Sequence, residues 1–185
     1  MLGETAVIDY RIDAVEAARR RRAGCSAITD LAVLDVLMGL PVGIPVAAAD
    51  LTDRERRTLR RTPAGALVCT DGWVTRLAVA PVSVDLAVVR ARDWRKGLAR
   101  AGRFAPFCAR AIHLPARPAD YDDAAMQAGF FGIGILLGPR NSPDRIVEPA
   151  PHTRHRHTPA QWQFAEEVYQ QTEPTPAEPA YRKER

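Results

Sequence analysis

The chain has 185 residues, 46% of them hydrophobic, enough for one ordinary domain with a core that needs no disulfide or metal to hold it. Its formal charge is +4, from 26 basic and 22 acidic residues, and Cys25, Cys69 and Cys108, with no C-x-x-C pair among them, fit neither a disulfide framework nor a zinc site. The longest apolar stretches, LAVLDVLMGL and FFGIGILL, are too short to cross a bilayer and MLGETAVIDY lacks the order of a signal peptide, so a soluble α/β domain in the cytoplasm, with no membrane partner, is expected.

From the N-terminus, AVIDYRI reads as a short strand or arm, and DAVEAARRRR as a helix with Val15 and Ala18 turned inward and Gly24 at its end. ITDLAVLDVLMGL is a core helix: Thr29 or Asp30 caps it, Leu31, Leu34, Val36 and Leu37 form its apolar face, and Gly39 with Pro41 stops it. PVGIPV reads as a loop, and LTDRERRTLRR as a basic helix capped by Thr52 and closed by Pro63 and Gly65. The period then changes. ALVCTDGWVTRLAVAPVSVDLAVVRA gives three strands, with Asp71-Gly72 as a hairpin turn and Pro81 in the second connection.

Asp93 caps the next helix, DWRKGLARAGRF, which sets Trp94, Leu98 and Ala101 on one face and Arg95, Lys96, Arg100 and Arg103 largely on the other. RAIHL is a fourth strand, YDDAAMQA a helix, GIGILL a fifth strand and DRIVEPA a sixth, at an edge. PAQWQFAEEVYQQ is a final helix with Trp162, Ala165 and Tyr169 able to pack. The domain plan is an N-terminal strand and helix arm at 1–27, a core at 28–149, a basic loop and helix at 150–172, and a disordered tail rich in proline and charge at 173–185.

Basic residues cluster: Arg19 to Arg22 are unbroken, Arg54 to Arg61 hold five arginines against Glu55, and Arg90 to Arg110 hold seven basic residues against Asp93. A nucleic-acid backbone is one partner that such patches serve; a solvated basic face is the other reading. The three cysteines read as small hydrophobes, a single catalytic thiolate being the alternative. His152, His155 and His157 read as a basic loop rather than a metal site, since flanking arginines oppose a cation. Gly129, Gly132, Gly134 and Gly138 fit close strand packing better than a phosphate loop, and Trp73 and Trp94 read as core anchors.

The strand running into RDWRKGL resembles the passage E-x-K-x-x-D-W-[RK]-[RK]-A-L-x-Q of the PD-(D/E)xK nuclease superfamily, over residues 28 to 138 at most. The resemblance implies a restriction-endonuclease-like core, αβββαβ, on a central mixed sheet flanked by helices. That family holds a divalent metal on two carboxylates, with a lysine to activate water. Matching back from Asp93-Trp94 puts Arg90 at the lysine and Val88 at the glutamate; a shift of two residues puts Arg90 at the glutamate and Arg92 at the lysine. Asp85 is the remaining candidate for the first metal carboxylate, with Asp71 more distant and Glu16 or Asp35 as residues that folding could bring near. The family's glutamine matches Arg100 and its aromatic partner Phe104. The resemblance is thus one of fold, with the catalytic set lost and no cofactor, or with Mg²⁺ on Asp85 if activity survives.

Residues 30 to 74 also resemble a winged-helix module, in which Arg54, Arg57 and Arg61 line the helix entering the major groove and the Asp71-Gly72 hairpin touches the backbone. The two readings compete for the same strands, and a single continuous sheet through VTRLAVA and VDLAVVRA favours the nuclease-like one. The function expected is binding of DNA or another nucleic acid, without cutting, through Arg90, Arg92, Arg95, Lys96, Arg100 and Arg103, as a regulator or accessory factor. Two rivals stand beside it: an interaction module whose basic face meets an acidic protein partner, with residues 150 to 185 as its assembly segment, and a metal-dependent DNA endonuclease that needs Asp85.

Overall fold

The computed structural model describes residues 3–153 and 156–172, so the tail expected to be disordered, and His155 of the histidine cluster, lie outside the described residues. In chain order the elements are β1 (Ala6–Ile12), α1 (Ala14–Ala23), α2 (Leu31–Gly39), β2 (Pro45–Ala47), a 3-10 turn (Ala48–Asp50), α3 (Asp53–Leu59), β3 (Leu67–Thr70), β4 (Trp73–Arg76), β5 (Val82–Arg90), α4 (Trp94–Gly102), β6 (Ala109–Leu114), α5 (Tyr121–Phe130), β7 (Ile133–Leu137), β8 (Asp144–Val147) and α6 (Pro159–Thr172). The starts of these helices follow local chemistry. Asp13, Asp30 and Asp93 each accept two N–H groups of the first turn of α1, α2 and α4, and Thr52 forms a reciprocal capping box with Glu55 on α3.

The fold is α/β with a central mixed sheet in the order β1-β5-β6-β7-β8. Strands β5, β6 and β7 are parallel and are joined through α4 and α5, while β1 and β8 close the edges antiparallel. Rather than standing apart as an arm, β1 pairs with β5 along its whole length, from Ala6 opposite Val89 to Ile12 opposite Val82. One slip interrupts that register: Asp9 faces Leu86 and Tyr10 faces Val84, leaving Asp85 as the extra residue of a β-bulge.

The expected continuous sheet through β4 and β5 is not what forms. A second, three-stranded sheet has the order β2-β4-β3, and β2 comes from the stretch read as a loop, Val46 lying opposite Val74. The reason lies in residues 76–81. Arg76 turns inward, donating to the carbonyls of Leu37, Leu40 and Ala78 and stacking on Trp162 at 4.5 Å, while Ala78 is buried in the smaller core and Pro81 has no N–H for a ladder. This short crossing carries the chain from one sheet to the other.

Two cores result. The larger gathers Val89, Trp94, Leu98, Phe104, Ile112 and Ile135 around the five-stranded sheet; the smaller gathers Ile28, Val33, Leu34, Leu37, Leu59 and Val74 behind α3. Helix α6 enters both, through Phe164, Ala165, Val168 and Tyr169 on one side and Trp162 on the other. The segment proposed for assembly therefore contains a core helix, and deleting residues 150 to 185 would remove part of both cores.

Two side chains lie elsewhere than their sequence suggests. In α1 the inward residues are Glu16, Ala17 and Arg20, whereas Val15 is 80% exposed. The inward face is polar because Arg20 sits between two carboxylates: it donates to Glu16 at 2.7 Å and doubly to Glu166 of α6 at 2.7 Å, and to the carbonyl of Val79. Glu166 also accepts from the Trp162 indole and the Ile28 N–H, so a buried charge network fastens α1, α6 and the start of the smaller unit. Trp94 is a core anchor as expected, but Trp73 is 51% exposed, because the β3–β4 hairpin has no larger sheet to lie against.

Candidate nucleic-acid interface

Helix α3 sits on the smaller core through Thr58 and Leu59, and its other side is arginine. Arg54, Arg57, Arg60 and Arg61 are exposed. Arg54, Arg57 and Arg61, with Thr58, line a shallow groove of about 310 Å³. Their neighbour Arg56 differs: it is drawn back by Asp53 at 2.6 Å and by the carbonyls of Ala48 and Leu51. The pattern follows from helical spacing, since positions 54, 57 and 61 share one face of the helix and its C-terminal extension. Of Arg54, Arg57, Arg60 and Arg61, only Arg61 has an acidic partner among the described residues, Asp30 at 3.2 Å, and it stays half exposed.

The β3–β4 hairpin is linked to α3 through Ala48, whose N–H bonds the Gly72 carbonyl and whose own carbonyl accepts from Arg56. Its turn is Asp71-Gly72, with φ of 50° and 81°, the left-handed pair that a tight hairpin asks for. Asp71 thus serves the turn, far in role from a metal ligand. Val68, Cys69, Thr70 and Trp73 are exposed around the tip.

Helix α4 presents its basic face as the sequence predicts, but remote acids neutralise much of it. Arg95 pairs with Asp120 at 2.8 Å and lies over the Trp94 ring, and Asp120 also accepts from the Trp94 indole; these bonds hold the Asp120 carboxyl below its usual range. Arg100 and Arg103 both bind Glu4, and Arg100 also reaches the Arg90 carbonyl. Lys96 remains exposed without an ion pair among the described residues.

The strand end named by the resemblance looks different again. Asp85 is gripped by Arg11 through two bonds of 2.8 Å, and Glu16 is buried against Arg19 and Arg20. Arg90 and Arg92 instead line a basin of about 290 Å³ together with His113, Pro115 and Arg140. The strand register explains the gathering, because Arg90 ends β5 opposite His113 near the end of β6. His113 and Arg140 escape the sequence reading, although one signal was present: VDLAVVR and RAIHL both place a basic residue at the close of an apolar strand.

The cysteines are packing residues where buried: burial pushes the Cys108 thiol up to about 12 and raises that of Cys25, while Cys69 is exposed on β3. Among the described residues no three His, Cys, Asp or Glu side chains gather as a metal site would need, and no helix is long and apolar enough to cross a membrane. Comparison of the chain with family models, with curated proteins and with solved structures returned no match.

Proposed function

We propose that this protein binds double-stranded DNA through α3 and the β3–β4 hairpin, without cutting it, as a regulator or accessory factor. One observation carries the reading: α3 packs beside α2 on a core shared with the three-stranded sheet, through Leu59 and Val74, and its Arg54 and Arg57 have no acidic partner among the described residues. A helix of this kind fits the B-DNA major groove, and a neighbouring hairpin then lies along the backbone. The arrangement supports the winged-helix likeness of this stretch. It also moves the expected contact surface from α4, where Arg95, Arg100 and Arg103 already have carboxylate partners.

Absence of cutting is supported by the strand end. A divalent cation needs several oxygen ligands, whereas Asp85 is bound by Arg11 and the positions matching the family's Glu-x-Lys pair hold valine and arginine. A guanidinium stays charged and serves phosphate, not metal.

The test is a titration of labelled duplex DNA at several salt concentrations, with and without Mg²⁺. Affinity should fall steeply with salt, and Arg54→Ala, Arg57→Ala and Arg61→Ala should each lower the logarithmic salt slope by about one. Binding that ignores salt, or that survives the triple substitution unchanged, overturns the reading. A protein partner is the second reading, favoured by Met126, Phe130 and Phe131, which lie 66%, 82% and 53% exposed at the end of α5. It gains if DNA fails and Phe130→Ser abolishes an interaction that the α3 variants retain.

A further inference from the structure

The geometry points to a second ligand site, independent of α3: the basin of Arg90, Arg92, His113 and Arg140 is a pocket for a phosphomonoester dianion. It lies where parallel α/β sheets most readily hold ligands, beyond the carboxyl ends of the strands. Arg90 closes β5 and Arg92 follows two residues later, His113 lies near the end of β6, and Arg140 follows β7 after a turn at Gly138, whose φ of 110° suits glycine. The walls are fixed by hydrogen bonds between strand ends: Ala91 N–H to the His113 carbonyl at 3.0 Å, Gly138 N–H to the Leu114 carbonyl at 3.0 Å, and the His113 imidazole Nε2 to the Gly138 carbonyl at 2.9 Å.

Charge identifies the ligand. Three arginines line the basin and no carboxylate does. Asp93, next to Arg92 in sequence, is turned to cap α4, accepting from the N–H groups of Arg95 and Lys96. The contrast with the flank of α4 is informative, for there Arg95, Arg100 and Arg103 each have an acidic partner. Arg90, Arg92 and Arg140 have none among the described residues, so their charge is left for a ligand to answer. A phosphate monoester carries close to two negative charges near neutral pH and three oxygens that match the guanidinium fork, which a single carboxylate does not. His113 also lines the basin, and its second ring nitrogen, Nδ1, has no partner among the described residues. At about 290 Å³ the space takes the phosphate and a small adjoining group. A strand's 5′-terminal phosphate and a free small phosphate share this chemistry.

The experiment follows the thermal midpoint of the full chain against inorganic phosphate, with sodium chloride at matched ionic strength. At about a hundredfold the dissociation constant, phosphate should raise the midpoint by about 5–10 °C beyond chloride. Arg90→Gln with Arg140→Gln should remove that shift while leaving the unliganded midpoint level or higher. Arg92→Gln alone, a milder exposed change, should weaken phosphate about tenfold. An equal response to chloride and phosphate, or an undiminished phosphate shift in the folded double variant, overturns the site. A 5′-phosphorylated single strand and its 5′-hydroxyl twin separate the sources. A preference of about tenfold for the phosphorylated strand assigns the site to nucleic-acid ends, and equal affinity with the phosphate response intact assigns it to small phosphates. The pair Arg54→Ala and Arg57→Ala should leave the phosphate shift untouched, so failure of the α3 reading and failure of this one are told apart.

Discussion

Helices α3 and α4 carry similar arginine content, yet the fold treats them oppositely. On α4 the basic face is answered from afar, by Glu4 before β1 and by Asp120 before α5. On α3 Arg56 is drawn into local carbonyls, while Arg54 and Arg57 face solvent with no acid opposite and Arg61 keeps one long contact. A run of basic residues in a sequence therefore says little until the acids that fold onto it are known. An arginine with a carboxylate has already settled its charge within the chain; one without remains available to a phosphate.

The sharpest way to break the comparison is to unfasten the two regions that display these helices. Glu166→Ala leaves Arg20 buried with a single acid and strips acceptors from the Trp162 indole and the Ile28 N–H. Urea unfolding should show a loss of about 3–5 kcal/mol. Next in size, the triple Arg54→Ala, Arg57→Ala, Arg61→Ala should cost about a hundredfold in duplex affinity by anisotropy at low salt, while Arg95→Ala with Arg103→Ala costs less than about threefold.

Acid tests the junction again. Burial raises the Glu16 carboxyl, but Arg19 and Arg20 outweigh it, so its pKa lies below normal in the fold. Its contribution is complete above the unfolded carboxyl value of about 4.3 and is lost as pH falls through the lower folded value. The urea midpoint should therefore drop on going from about pH 5 to about pH 3, and less steeply in Glu16→Gln. Smaller still, Glu4→Gln frees Arg100 and Arg103 and should tighten non-specific DNA binding about two- to threefold, making α4 behave more like α3. Finally, a thiol reagent should label Cys69 rapidly in the folded protein and leave Cys25 and Cys108 until it unfolds.

Local order was readable in the sequence. The caps Asp30, Thr52 and Asp93 and the Asp71-Gly72 turn all act within a few residues, and the helices and the hairpin stand where those signals put them. Partnership was less readable. Three residues, Pro45 to Ala47, are too short for a period, yet β2 completes the smaller sheet because β4 offers an edge. Trp73 looked like core by its type, and only the separation of the two sheets exposes it. The same holds for the sites. Arg90 and Arg92 were visible as charges, but His113 and Arg140 join them only through the register of parallel strands. Glu166 reads as one of two acids in a polar stretch, and its burial depends on Arg20, on another helix entirely.

The meeting of the chain around Val79 has a consequence for the order of folding. Glu16 accepts from the Val79 N–H, Arg20 donates to the Val79 carbonyl, and Asp13 N–H bonds the Pro81 carbonyl, so the segment from α2 to β4 leaves and returns at one place. The smaller unit is thus an insertion between β1 and the strand it must pair with, β5. If that insertion condenses first, its ends lie side by side and β1 finds β5 as if across a short loop; if not, the pairing must close the whole intervening chain, a slow step. Early condensation of α2, α3 and their small sheet would act as an internal template, shortening the search for the larger one.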